Sequence, residues 1–223
     1  EARSNGQVGG MSDLNPQPAS GLAWRAGPAP VTVVMITLNE GHNIEGVLEN
    51  LAGWAAAVRI VDSYSRDDTV GLALKHGATV VQRPFCSFGD QWNFAISGIP
   101  VETPWTMKMD PDERLSDELK SALLLAMQSG TCDGYLVKLR LWFMGSPLPA
   151  VLSLVRLWKT GRCRFTDITV NEHAIVDGTL GSVAGEMRHF DSPDLDHWYE
   201  KQNRYSTAEA MAAAVRRAAP EAQ

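Results

Sequence analysis

Two aspartates one residue apart, Asp110 and Asp112, close the short apolar run Trp105-Thr-Met-Lys-Met109. An apolar run of that length bounded by polar residues suits a buried strand. Two carboxylates at the mouth of such a strand are hard oxygen ligands of the kind Mg²⁺ or Mn²⁺ takes while it also holds a diphosphate. The same residues also make an ordinary helix start, with Asp110 as N-cap, Pro111 in the first helical position and Glu113 reaching back from the third. Taken locally, both readings stand. The surrounding elements have to decide between them.

The chain has 223 residues, enough for one large domain with a full core or one domain with an appendage. No apolar run approaches the roughly 20 residues of a membrane helix, and the start lacks the charged-then-apolar pattern of a signal peptide. The three cysteines, Cys86, Cys132 and Cys163, are scattered and lack metal-type spacing. They predict a reduced protein with structural thiols, cytoplasmic or peripheral to the inner face of a membrane. A net charge of −6 offers no basic footprint for nucleic acid. A phosphate ligand then needs a bridging cation.

Residues 1–30 are rich in Gly, Pro, Ser, Asn and Ala without periodicity, and predict a flexible tail. Val31–Leu38 is β-branched and apolar on both faces, as in a central parallel strand covered on each side. Ile44, Val47, Leu48 and Leu51 then fall at helical spacing. Val58–Asp62 predicts a second strand; Ser65–Asp68 reads as a capping box opening a helix that runs to Gly77. Ala78–Gln82 is a third strand, Gly89–Ile99 a helix and Trp105–Met109 a fourth strand. A further helical stripe follows in Leu115, Leu119, Ala122, Leu123 and Met127. This alternation implies α/β winding, a mainly parallel sheet with helices on both faces. Such sheets bind ligands beyond the carboxyl ends of their strands, which gathers Thr37–Glu40, Asp62–Ser65 and Asp110–Asp112 at one rim.

After Gly130 the pattern changes to strand-like runs at Tyr135–Phe143, Val151–Trp158 and Ala174–Val176 with irregular joins. Residues 131–223 are expected to pack on residues 31–130 as a mixed half of the same domain. They end in a helix with Trp198, Tyr205, Ala208, Ala212 and Val215 on one stripe. That stripe is too poor in large apolar residues for strong membrane insertion, and leaves a protomer contact or a partner protein equally open.

In this order the clusters resemble the family 2 inverting glycosyltransferases of the GT-A, Rossmann-like fold. The pieces are Thr37-Leu-Asn-Glu40, Val61-Asp-Ser-x-Ser-x-Asp-x-Thr69, Phe88-Gly-x-Gln-x-Asn-Phe-Ala95 and Asp110-x-Asp-Glu113. Val155-Arg-Leu-Trp158, Val170-Asn-Glu172, Glu186-Met-Arg-His-Phe190 and Lys201-Gln-Asn-Arg-Tyr-Ser206 extend the likeness toward the lipopolysaccharide-core β-glucosyltransferase branch. Two positions depart from the pattern: Asn171 stands where His is common before the glutamate, and Trp92 where a basic residue is common.

The resemblance implies transfer of a hexose, glucose at the family level, from a nucleoside-diphosphate sugar such as a UDP-sugar to a glycan, lipid-linked or small-molecule acceptor. It implies Mg²⁺ or Mn²⁺ held by Asp110, Asp112 and a C-terminal histidine, His189, which a structural reading would keep as a hydrogen-bonded core residue. Thr37, Leu38, Asn39, Glu40, Asp62, Gln91, Asn93 and Asp110 would line the donor nucleotide. Arg83 is either a phosphate contact or an ordinary loop residue. Inversion needs a carboxylate to take the acceptor's proton; Glu172 holds the motif position, with Asp167 and Glu186 as rivals. Lys201, Arg204 and Tyr205 face either a phosphorylated or lipid-linked acceptor, or only solvent. A nucleotidyltransferase is the alternative enzyme, although its Gly-rich basic loop after the first strand is missing. A non-catalytic nucleotide-sugar binder is the alternative outside catalysis.

Overall fold

The computed structural model describes residues 23–166, 172–190, 192 and 194–218, without the side chains of 208, 209, 212, 213 and 215–218. Of the expected tail, residues 1–22 lie outside this description, as do Asp167, Val170, Asn171, Asp191 and Pro193. The last residues of that tail are built into the fold. Trp24 donates from its indole to the Ala55 carbonyl at 3.1 Å, and β1 (Ala29–Thr37) begins two residues earlier than the β-branched run suggests.

β1 is buried on both sides because its side chains alternate between two cores. Val31, Val33 and Met35 face α1 (Gly41–Leu51) and its neighbours, whereas Val34 and Ile36 face the opposite layer. β2 (Ala55–Asp62) and β3 (Thr79–Gln82) continue the parallel sheet on one side, joined through α2 (Thr69–Lys75). On the other side β1 pairs in parallel with β4 (Trp105–Lys108), reached through α3 (Phe88–Asn93) and a π-turn over Phe94–Gly98. The α1, α2 and α4 (Asp117–Ser129) residues supply one core; Trp92 and Ala95 of the α3 segment supply the other.

The second half extends the same sheet. β7 (Ser146–Lys159) pairs antiparallel with β4 and with β6 (Gly134–Phe143). β10 (Leu180–Phe190) lies parallel to β6 and carries β5 (Glu113–Leu115) at its edge, giving the order β3-β2-β1-β4-β7-β6-β10-β5. A small second sheet joins β8 (Cys163–Phe165) to β9 (Ala174–Val176). The chain ends in α5 (Leu195–Ala218).

Two local expectations fail for tertiary reasons. No helix starts at Asp110: the chain turns there, and Glu113 pairs with His189 as a strand. The reach-back survives all the same, since the Asp110 amide donates to Glu113 Oε2 at 2.8 Å. α4 begins at Asp117, capped by Ser116, whose hydroxyl accepts from the Leu119 amide. Ser65 caps nothing, because its hydroxyl turns back to Asp62, and α2 opens at Thr69. α5 packs the two described residues of its expected apolar stripe, Trp198 against Phe143 and Tyr205 against Phe88. Its half-buried residues among those described are His197, Trp198 and Lys201, whereas Tyr205 is exposed; Ala208, Ala212 and Val215 lie outside the described side chains.

Candidate active site

The loops after β1 and β2 are stitched into one rim. Asp62 is fully buried at the end of β2 and accepts from Thr37 Oγ1 (2.8 Å), Ser65 Oγ (2.5 Å), the Ser65 amide (2.9 Å) and Gln82 Nε2 (2.9 Å). A carboxylate has about four acceptor sites, so protein donors occupy all of them. The geometry makes Asp62 a brace between three strand ends; an open acceptor for a donor base or ribose, as expected above, it is not. Thr37, buried beside it, shares that role. The next residues offer backbone at the rim. Asn39 adopts a left-handed φ of 58°, its side-chain oxygen accepting from the Arg66 amide and its own amide donating to Ser65 Oγ. Leu38 is exposed. The Glu40 and Gly41 amides donate to Thr69 Oγ1 and Asp67 Oδ2.

Beside this rim the turn after β4 gathers opposed charges. Glu113 is fully buried and pairs with Arg156 of β7, itself 5% exposed; the same guanidinium lies 3.3 Å from Asp110 Oδ2. Burial would lift Asp110, but Lys108, Arg156 and His189 outweigh it and hold its carboxyl below the usual range. Asp112 is the opposite case. Burial pushes it up to about 6, against the pull of His189 and Lys201 and with help from Asp110 and Glu113. Its Oδ1 is buried without a hydrogen bond and stands 3.4 Å from His189 Nδ1; its Oδ2 stands 3.4 Å from Lys201 Nζ of α5. Glu40 belongs to the same cluster. Burial raises it to about 7 despite the hydrogen bond from Asn43, and Asp112 and Asp110 add to the rise.

On the other side of β4, Lys108 Nζ contacts Glu172 Oε1 at 2.6 Å, both side chains only 11% exposed. The ammonium also lies 4.2 Å from the centre of the Trp92 ring, which is buried. Lys108 and Glu172 line a cleft of about 250 Å³ with Arg156, His173, Phe165 and Leu154. Arg156 links this cleft to Asp110.

Other expected residues are committed elsewhere. Asn93 clasps the backbone of Phe165, donating to its carbonyl (3.0 Å) and accepting from its amide (2.8 Å). That bond ties α3 to β8 and uses the amide the donor was to meet. Gln91 is buried, donates to Ser63 Oγ, and leaves its Oε1 without a partner. Arg83 grips Asp90 at 2.9 Å and lies over the Phe94 ring, bracing α3. Glu186 forms a two-pronged pair with Arg140 at 2.5 and 2.7 Å and, unlike Glu172, does not line the cleft. The sequence reading missed Arg156 and Lys108. Each is a lone cation inside an apolar strand run, Val155-Arg-Leu-Trp158 and Trp105-Thr-Met-Lys-Met109, and that placement was the available signal.

A family model described as glycosyl transferase family 2 matches residues 32–190. The chain belongs to glycosyl transferase family 2. Among similar proteins, an uncharacterized glycosyltransferase of Rickettsia prowazekii is 26% identical over 81% of this chain and 66% of its own length. The lipopolysaccharide core biosynthesis glycosyltransferase LpsC of Rhizobium meliloti is 30% identical over 81% of this chain and 70% of its own length. The chain therefore spans about two thirds of the length of these relatives. Among solved structures, S. aureus TarS residues 1–349 in complex with UDP-GlcNAc aligns with a TM-score of 0.56 at 16% identity, covering 75% of this chain and 60% of that one. The shared architecture is the GT-A fold.

Proposed function

We propose that this chain is the catalytic part of a metal-dependent inverting glycosyltransferase. It would move a hexose, glucose first among them, from a UDP-sugar or related nucleoside-diphosphate sugar to a glycan, lipid-linked or small-molecule acceptor. The observation that carries the reading is the placement of Asp112. An under-compensated buried carboxylate stands beside Asp110 and His189, at the rim where the β1 and β2 loops meet. The relative named for lipopolysaccharide core biosynthesis supports a glycolipid acceptor. Such an acceptor would bring the protein to the inner face of a membrane as a peripheral enzyme; no helix among the described residues is long and apolar enough to cross one.

The donor set fits a hard divalent cation. Asp112 Oδ1 lacks a hydrogen bond, and a neighbouring imidazole nitrogen lies 3.4 Å away. Asp110, Asp112 and His189 would hold Mg²⁺ or Mn²⁺. Among the described residues no three such side chains already stand in metal-binding geometry. The bound cation would act as a Lewis acid on the departing diphosphate. The rest falls to the chain itself. The backbone from Thr37 to Glu40 and the Asp62 brace hold the nucleotide rim rigid. Glu172, in the cleft, would take the proton of the attacking acceptor hydroxyl, with Lys108 fixing its carboxylate against the Trp92 and Phe165 rings.

Calorimetric titration of UDP, GDP and dTDP with and without Mn²⁺, on wild type and Asp112→Ala, tests this. Binding of one nucleotide that needs the metal and disappears in the variant is the expected result. Binding indifferent to both metal and Asp112 would remove the reading.

A further inference from the structure

α5 touches the site through one turn. His197, Trp198 and Lys201 share a helix face, and each meets a different wall. The His197 ring lies 5.3 Å from His42 near the start of α1, and Trp198 lies 5.8 Å from Phe143 at the tip of β6. Lys201 reaches Asp112. One turn on, Tyr205 stacks against Phe88 at 6.4 Å, while Arg204 is exposed. The basic residues of this helix therefore part company. Arg204 faces solvent, and Lys201 faces the acidic cluster rather than the cleft that holds Glu172.

A diphosphate arriving at this rim would add negative charge beside Glu40, Asp110, Asp112 and Glu113. The cations already there differ in how far they can answer it. Arg156 is buried between Asp110 and Glu113, and Lys108 is held by Glu172. Lys201 carries its ammonium on a flexible four-carbon stem, only partly buried, with Asp112 Oδ2 at 3.4 Å. It also stands close enough to lower the carboxyls of both Asp112 and Glu40. A metal ion and this ammonium compete for the same Asp112 carboxylate.

We propose that Lys201 is a phosphate ligand of the donor site: its ammonium, here paired with Asp112, passes to the diphosphate when a divalent cation takes that carboxylate. This rests on the nucleotide-sugar reading above. The competition runs one way for the metal alone and the other way for the nucleotide, which separates the role from mere bracing of α5.

The experiment measures Mn²⁺ alone, and UDP and UMP in the presence of Mn²⁺, by calorimetry on the full chain, using wild type, Lys201→Met and Lys201→Arg. Loss of a charge-assisted phosphate contact should weaken UDP about 10-fold or more in Lys201→Met, with a smaller loss for UMP. Lys201→Arg should keep most of the UDP affinity. Mn²⁺ alone should bind Lys201→Met more tightly than wild type, because its competitor is gone. Equal losses for UDP and UMP, unchanged UDP binding, or weaker Mn²⁺ binding in Lys201→Met would each overturn the proposal. If wild type binds none of UDP, GDP or dTDP, the nucleotide-sugar reading itself fails and this proposal falls with it.

Discussion

The Arg156–Glu113 pair gives the sharpest test of how the acidic turn is held. Arg156→Met keeps most of the volume of the side chain but removes the positive charge between Glu113 and Asp110. Glu113 is then a fully buried carboxylate whose remaining neighbours are the Asp110 amide at 2.8 Å and His189 Nδ1 at 3.9 Å. Breaking a buried pair by removing one partner costs about 3–5 kcal/mol, because an uncompensated charge stays behind. At about 2–4 °C per kcal/mol for a domain of this size, the melting temperature should fall by about 6–20 °C. Glu113→Gln in the same background removes the stranded charge while keeping an acceptor for the Asp110 amide. The double variant should therefore be more stable than the sum of the two single losses by about 1–3 kcal/mol. Urea unfolding followed by tryptophan fluorescence reads this directly, since Trp92, Trp105 and Trp158 are buried and Trp158 lies two residues from the change. A loss below about 1 kcal/mol in Arg156→Met, or coupling below about 0.5 kcal/mol, would refute the argument. Either would mean that the turn is held by its backbone pairing with β10 and not by charge.

Gly185 has φ +83°, and a Cβ there would meet the Leu119 amide nitrogen at 2.5 Å; Gly185→Ala should lower the urea midpoint by an amount equivalent to at least about 2 kcal/mol. Glu40 has its pKa raised to about 7 when folded, against 4.5 as the reference value, so the folded state binds the extra proton. Its contribution is present at low pH and is lost as pH climbs through that window. Glu40→Gln should accordingly match wild type near pH 4, below the unfolded value, and exceed it by about 1–3 kcal/mol at pH 8, read from unfolding curves at the two pH values. Glu172→Gln should slow release of nucleoside diphosphate from the donor by about 10²–10⁴-fold while leaving UDP binding by calorimetry unchanged; a parallel loss of UDP affinity would move Glu172 from base to donor contact.

The parallel half was legible because its signals are local. The two-faced apolar run of β1 and the stripe Ile44, Val47, Leu48 and Leu51 specify their elements without help from distant residues. Winding alone then brought the three polar clusters to one rim. Illegible was anything decided by pairing across the chain. Glu113 reads as a helix residue until β10 arrives to pair with it, and Asp62 reads as an open ligand until Thr37, Ser65 and Gln82 fill its acceptor sites. Lys201 and Asp112 are 89 positions apart, and no periodicity connects them. The edge strand β5, three residues long, is too short to carry a pattern at all.

The four donors to Asp62 come from the ends of three strands, which makes their substitutions epistatic. Thr37, Ser65 and Gln82 are each exchangeable only while the carboxylate still finds enough donors among the others. In an Asp62→Asn background one acceptor oxygen becomes a donor, and the preference at a facing position reverses: a side chain that accepts becomes better than one that gives. Folded variants of this chain should therefore covary at positions 37, 65 and 82 through position 62, and a tolerance map scored one site at a time would underrate how narrow that combination is.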